Sequence, residues 1–174
     1  MIDAIRALID DRLNELGPGS PNLAMRPQLQ RLAAELPKND FAAASLAGLW
    51  LLHDFFDESH AISQDLDTLE GSYWHGILHR REPDYWNAKY WFRRVLTHPI
   101  FGNLCKQAAT LTQDAGTPSG SGYLVKQRIW DAAAFVDLCE QAARGPEALA
   151  LLCRRVQRVE WDLLFEYCCA AWKQ

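Results

Sequence analysis

Two short stretches of the chain, LLHDFFDESH and YWHGILHRRE, carry histidines and carboxylates at the same helical spacing. The residues concerned are His53, Asp57, His60, His75, His79 and Glu82. Residues spaced i, i+4 and i+7 lie on one face of an α-helix, so each stretch predicts a polar stripe. If the two helices face each other across the short connection between them, the six side chains converge on one polar pocket.

Metal binding is the most specific chemistry that this set of residues predicts. Asp57-x-x-His60 is similar to the Glu-x-x-His half-motif by which helical bundles hold iron or manganese, and His79-x-x-Glu82 is the same pair reversed. The two remaining histidines of the set would raise the number of candidate ligands to six. Mixed imidazole and carboxylate ligands favour zinc, iron, manganese or nickel over calcium or magnesium. On this interpretation the cofactor is a divalent transition metal.

General acid–base catalysis without a metal is an alternative interpretation. A carboxylate orients a neighbouring histidine and can tune it towards neutral pH, and the candidate catalytic pairs are His53 with Asp57 and His79 with Glu82. Either interpretation favours hydrolysis or lyase chemistry, by metal-activated water or by a His–carboxylate base. A third interpretation assigns the six residues to a buried hydrogen-bonded network that only holds the two helices in register.

Aromatic and basic residues around the second stretch predict a bound ligand. The candidate ligand-binding residues are Trp74, Arg80, Arg81, Asp84, Asn87 and Lys89. A cationic rim over aromatic walls suits a small polar or anionic ligand, because arginine makes bidentate contacts with carboxylate or phosphate. The alternatives are that this surface binds a partner protein, or that the aromatic residues pack in the core while the cations face water.

Hydrophobic periodicity predicts an all-α fold of about seven helices, since no run alternates apolar and polar residues as a half-buried strand does. The helical segments are expected at 2–16, 27–36, 41–64, 72–82, 84–97, 99–113, 130–144 and 146–173. Gly17-Pro18 should end the first of these, and Asp40 and Ser72 are candidate N-caps for the third and fourth. The segment 114–123, DAGTPSGSGY, should be the longest irregular loop, serving as a lid or only as a connection.

Composition limits the class of protein. A chain of 174 residues with 49% hydrophobic content predicts one domain over residues 1–174. The formal net charge of -4 gives no basic field for nucleic acid. The longest apolar stretch, 41–52, is shorter than the roughly 20 residues of a membrane span, and the acidic N-terminus does not resemble a secretory signal. Five cysteines without a CxxC pair predict reduced thiols, and we expect a cytoplasmic protein.

The segment from Gly76 to Val95 resembles a single degenerate tetratricopeptide repeat. Gly76 falls on the small position of the first helix of the repeat, and Ala88 and Phe92 fall on the small and aromatic positions of the second helix. The resemblance implies a helical hairpin and, as an alternative function, a non-catalytic protein-interaction module. His75 and His79 occupy positions that the repeat fills with Leu and Tyr, which favours a polar pocket over simple repeat packing.

A longer segment, GSYWHGILHRREPDYWNAKYWFRRVLTHPIF, resembles a family of small proteins found mostly in bacterial genomes. The family shares the signature YWHGIxHRRExDxxNAKYWFRRV, and the resemblance covers about the middle third of this chain. It implies no particular activity. It does imply that one functional unit contains His75, His79, Arg80, Arg81, Glu82, Asp84, Asn87 and Lys89.

Overall fold

The computed structural model describes residues 5–171, which form nine α-helices preceded by a 3-10 turn at Leu23–Met25. The helices are α1 (Arg26–Glu35), α2 (Asp40–Leu52), α3 (Phe56–Asp65), α4 (Leu69–Arg81), α5 (Tyr85–Val95), α6 (Phe101–Asp114), α7 (Gly122–Lys126), α8 (Ala132–Ala142) and α9 (Glu147–Ala171). No strand occurs between residues 5 and 171. The predicted all-α class is therefore confirmed.

Helix α4 is the most deeply buried element and positions the site. Every residue from 70 to 81 is buried, and α4 packs against α2, α3 and α5. Glycines allow two of these helix pairs to approach closely. A Cβ atom on Gly48 of α2 would lie 2.6 Å from the ring of Trp74, and one on Gly76 would lie 2.9 Å from the ring of Phe92 on α5. The buried apolar residues of the described chain form one contiguous core around α4.

The single helix predicted over 41–64 is in fact two helices, because α2 ends in a Schellman motif. Asp54 adopts a positive φ of 62°. The N–H of Phe55 donates to the carbonyl of Trp50 at 2.9 Å, and the N–H of Asp54 donates to the carbonyl of Leu51 at 3.2 Å. Aspartate tolerates this left-handed conformation better than most residues do. Since the chain turns here, residues before and after Asp54 do not share a helical face.

The helix predicted over 2–16 is also wrong for its second half; residues 2–4 lie outside the described part of the chain. From Ile9 to Asn22 the chain has no regular structure, and this segment, not 114–123, is the longest irregular one described. Long side chains satisfy its carbonyl groups in place of helical hydrogen bonds. Arg158 donates to the carbonyls of Asp10 at 2.6 Å and Arg12 at 3.0 Å. The segment is thus held by tertiary contacts with α9.

Two helix starts differ from the predicted ones by a few residues. The side chain of Thr68 accepts a hydrogen bond from the N–H of Gly71 at 3.0 Å, so α4 begins before Ser72. Asn39, and not Asp40, provides the cap of α2. Both caps are residue types that favour this position.

Two predictions from composition can also be compared with the fold. All five cysteines are free thiols, four of them buried and Cys169 partly exposed, as predicted. Among the described residues, no helix combines the length with the apolar character that crossing a bilayer demands.

Candidate metal centre

The polar and aromatic residues of α4 lie on three faces of the helix. Because α4 is buried on all sides, each face meets a different part of the bundle. Residues seven positions apart share a face of a helix. The three pairs related in this way are His75 with Glu82, Tyr73 with Arg80, and Trp74 with Arg81. The first pair lies towards His60 of α3 and the start of α5, as the contacts below show, whereas Arg81 of the third pair lies 4.9 Å from the ring of Phe56 at the start of α3. Neighbours in the sequence YWHGILHRRE therefore end in different parts of the bundle.

Three histidines meet where α3 packs against α4. They are His60 of α3 with His75 and His79 of α4, and each offers one nitrogen atom within 4.8 Å of the other two. The ring centroids lie 4.5 Å apart for His60 and His75, 4.7 Å for His75 and His79, and 5.6 Å for His60 and His79. Trp91 of α5 stacks on His75 at 4.0 Å. His75 and His79 are buried, whereas His60 is half-exposed and gives the cluster access to solvent.

Polar side chains hold the rings of the two buried histidines. Nδ1 of His75 lies 3.2 Å from the hydroxyl of Ser63. Nδ1 of His79 lies 3.1 Å from Oε2 of Glu82, although their alignment falls short of a hydrogen bond. The side-chain amide of Asn87 lies 3.1 Å from Nε2 of His79. In His75 the contact on Nδ1 leaves Nε2 to face a ligand. In His79 both ring nitrogens have a polar neighbour, so the Asn87 amide must move aside before Nε2 can bind a metal.

Burial keeps His75 and His79 neutral. Burial, with the nearby His79 and His60 acting in the same direction, lowers the pKa of His75 to about 3. Burial also lowers the pKa of His79, with His60 acting in the same sense and the carboxylate of Asp84 against it. A neutral imidazole has the free lone pair that a metal ligand needs. His75 and His79 are therefore in the protonation state for metal binding at neutral pH.

Carboxylates surround the histidine cluster on its solvent side. Besides Glu82, Oδ2 of Asp84 lies 3.9 Å from Nδ1 of His79. Burial raises the pKa of Glu82. Among the charged groups near it, His60 opposes this rise, and Asp84 and Asp57 add to it. None of the three carboxylates pairs with a lysine or arginine among residues 5–171.

The predicted convergence of all six stripe residues is wrong for His53. This residue ends α2, and its Nε2 atom lies 2.7 Å from the carbonyl of Leu8 while Nδ1 lies 3.4 Å from the amide of Asn22. The turn at Asp54 is the reason, since it separates His53 from the stripe of α3. Asp57 lies on α3, but its side chain is exposed and contributes no atom to the cluster of three histidines.

Arg80 does not take the place expected of it in a cationic rim. Its side chain is fully buried, and Nη2 donates to Oε2 of Glu160 on α9 at 2.5 Å. The hydroxyl of Tyr73 donates to the other oxygen of Glu160 at 3.1 Å. The guanidinium group lies 4.7 Å from the ring of Phe135 on α8. Arg80 therefore points into the core between α8 and α9.

The other members of the predicted rim also lie away from the histidines. Arg81 pairs with Asp54 and donates to the carbonyl of Leu51 at 2.9 Å. Lys89 pairs with Asp137 on α8. Trp74 is fully buried, with its ring centroid 6.0 Å from that of Trp161. Of the six predicted ligand-binding residues, only Asp84 and Asn87 lie next to the cluster.

Two residues that shape this arrangement were not predicted, although the sequence carries a signal for each. Ser63 follows His60 by three positions, which places both on the side of α3 that faces α4. Glu160 falls on the buried stripe of α9, four residues after Val156 and four before Leu164. An acidic residue on an apolar stripe indicates a buried cationic partner.

Comparison of the chain with protein-family models, with curated proteins and with solved structures found no match. The likeness to the bacterial family and to a tetratricopeptide repeat stays a prediction. The function therefore has to be inferred from the geometry of the site.

Proposed function

We propose that this protein binds a divalent transition metal ion through His60, His75 and His79 and uses the metal to act on a small polar ligand. The observation that carries the proposal is the convergence of one nitrogen atom from each histidine within 4.8 Å. A tetrahedral zinc site has Zn–N distances of about 2.0–2.1 Å, which places its nitrogens about 3.4 Å apart. The nitrogen atoms therefore need to come closer by up to about 1.4 Å when the metal binds.

The surroundings of the cluster favour a metal over a plain hydrogen-bonded network. Metal-bound histidines commonly donate their other N–H to a carboxylate or hydroxyl, which fixes the ring and raises its basicity. Glu82 and Ser63 stand at Nδ1 of His79 and His75 in that way. Imidazole ligands alone suit zinc well, with nickel, iron and copper as related options.

Three protein ligands leave a coordination position open. Zinc sites with three protein ligands typically hold a water molecule there, whose pKa falls to about 7. Glu82 lies at Nδ1 of His79, on the side of the ring away from the metal, so its role would be to orient that ligand and raise its basicity. This arrangement suits hydrolysis or a lyase reaction. The same residues without a metal would support acid–base catalysis by His79 and Glu82, which is the closest competing interpretation.

Partner binding is a second candidate function, favoured by one observation on α5. Trp86 is 75% exposed, and its ring stacks on that of Tyr90 at 6.5 Å. The guanidinium group of Arg93 lies 6.0 Å from the Tyr90 ring. Exposed aromatic residues next to arginine are enriched at protein interfaces. This surface lies on the side of α5 away from the core and is compatible with a metal centre elsewhere.

The metal proposal can be tested by titrating zinc into untagged protein in competition with a chromophoric chelator. Wild-type protein should bind one zinc ion per chain and melt at a higher temperature with zinc than without it. His60→Gln, His75→Gln and His79→Gln should each remove the tight site, since each takes one of three ligands. His53→Gln is the matched control, because it changes a buried histidine outside the cluster.

A substitution at Glu82, which contacts the ring of His79, gives a graded result. Glu82→Gln should weaken zinc binding about 10- to 100-fold without abolishing it. Circular dichroism spectra should match those of the wild type in every variant compared. Weak zinc binding by the wild type, or equal losses in His53→Gln and His79→Gln, would reject the metal and leave the acid–base interpretation.

A further inference from the structure

We propose that the ligand of this centre carries a positive charge, so that an ammonium or guanidinium group lies beside the atom that meets the metal. This inference rests on the metal site proposed above and names its substrate class. It differs from the expectation of an anionic ligand, which depended on arginines and a lysine that are turned to other parts of the bundle.

The first observation is the set of carboxylates around the histidines. Oε2 of Glu82 and Oδ2 of Asp84 lie 3.1 and 3.9 Å from Nδ1 of His79. Asp57 is exposed in the first turn of α3, three residues before His60, so the two side chains are neighbours on the surface of that helix. No lysine or arginine of the described chain pairs with any of the three. Their negative charges therefore act on whatever enters the site.

The second observation is that three arginines near this region are already neutralised. Arg26 pairs with Glu58, Arg81 with Asp54, and Arg94 with Asp67. Arg94 lies over the ring of Trp91 at 5.3 Å, so the aromatic wall of the site is also occupied by a paired cation. Around three neutral histidines, three carboxylates outweigh the two positive charges of a divalent ion. The mouth of the loaded site stays negative.

The size of the effect follows from Coulomb's law. For unit charges about 8 Å apart in a water-like dielectric, each carboxylate changes the affinity for a charged ligand roughly two- to threefold at low salt. The change is favourable for a cation and unfavourable for an anion. The ratio of cation to anion affinity should therefore fall roughly fivefold for each carboxylate that is neutralised.

Cobalt-loaded protein and three thiols of different charge provide the test. Co²⁺ reports its own coordination by visible absorption, and a bound thiolate adds a charge-transfer band that can be titrated. We expect thiocholine, which carries a quaternary ammonium group, to bind more tightly than neutral 2-mercaptoethanol, and 3-mercaptopropionate to bind most weakly. The quaternary group cannot coordinate the metal. The three thiols differ in thiol pKa, and the carboxylate can itself bind Co²⁺, so the decisive quantity is the affinity ratio compared between wild type and variants, in which these differences cancel.

Two variants and one control assign the preference to named residues. Asp57→Asn and Asp84→Asn should each reduce the ratio of thiocholine to 3-mercaptopropionate affinity roughly fivefold. The second substitution should preserve the cap of α5, since asparagine is as good an N-cap as aspartate. Glu58→Gln is the control, because it removes a carboxylate from the same turn of α3 that is already paired with Arg26.

The outcomes separate the two proposals. Absence of a cobalt spectrum before any thiol is added would overturn the metal site, and with it the ligand class. A normal cobalt spectrum with equal affinities for the three thiols would overturn only the cationic ligand. Equal effects of Glu58→Gln and Asp84→Asn would also overturn it, because the preference would then come from net charge and not from the mouth of the site.

Discussion

Breaking the buried ion pair of Arg80 and Glu160 should lower the free energy of unfolding, and Glu160→Gln tests this directly. Both side chains are fully buried, and the pair is joined at 2.5 Å. The substitution keeps the size of the side chain and removes its charge. Arg80 then stays charged inside the core without a counter-ion, and Tyr73 loses a charged acceptor for its hydroxyl group.

The expected loss follows from the cost of an unpaired buried charge. Removing one partner of a buried ion pair typically lowers the free energy of unfolding by about 3–5 kcal/mol. In Arg80, Nε and Nη1 have no hydrogen-bond acceptor within the described chain. The guanidinium group therefore depends on Glu160, on a long hydrogen bond of 3.5 Å to Gln157 and on its contact with Phe135. For a chain of this size, 1 kcal/mol corresponds to about 2–4 °C, which predicts a fall in Tm of roughly 6–20 °C.

Urea denaturation of metal-free protein, followed by circular dichroism, measures this change. Asp67→Asn is the matched control, since it removes the acid of the exposed pair with Arg94 and should cost about 1 kcal/mol or less. The double variant Arg80→Met, Glu160→Met should regain a large part of the stability that Glu160→Gln loses. A loss below about 1 kcal/mol in Glu160→Gln would refute the reasoning, because the charge of Arg80 would then have another partner.

Three further predictions concern the helices around the site. In metal-free protein the free energy of unfolding should rise with pH between about 3 and 6.5, because the lowered pKa of His75 makes the folded chain bind fewer protons than the unfolded chain in this range. Urea titrations of wild type and His75→Gln should therefore diverge with pH, and parallel curves would contradict this. Gly76→Ala should destabilise the fold by about 1–3 kcal/mol, since its Cβ would meet the Phe92 ring at 2.9 Å. Gly102→Ala, which has open space around it, should instead stabilise α6 by about 0.5–1 kcal/mol in the same assay. Arg158→Ala should speed proteolysis between residues 9 and 16 without loss of helical content, and unchanged cleavage would show that other contacts hold this segment.

The helical class and most helices could be predicted from periodicity, because long amphipathic and apolar segments leave few alternatives. The break between α2 and α3 could not. Schellman motifs usually have glycine at the left-handed position, and here Asp54 occupies it. The N-terminal segment misled the prediction for a related reason, since its helical spacing is overruled by side chains of Arg158 and Arg81 that are distant in sequence.

The candidate site was predictable only in part. Spacing alone correctly placed His75 beside His79 and suggested a partner on the preceding helix, which is His60. It failed for Arg80 and Arg81, because adjacency in sequence does not bring side chains together in space. On a helix buried all round, neighbouring residues point about 100° apart and meet different partners. Only the tertiary packing decides which face meets α3 and which meets α9.

A zinc-loaded crystal measured at the zinc absorption edge tests the central proposal most directly. We predict one strong anomalous peak where α3 meets α4, about 2.0–2.1 Å from one nitrogen each of His60, His75 and His79, with an oxygen ligand in the fourth position. An anomalous map with no peak among these three histidines, or with its strongest peak bound by other residues, would contradict the proposal.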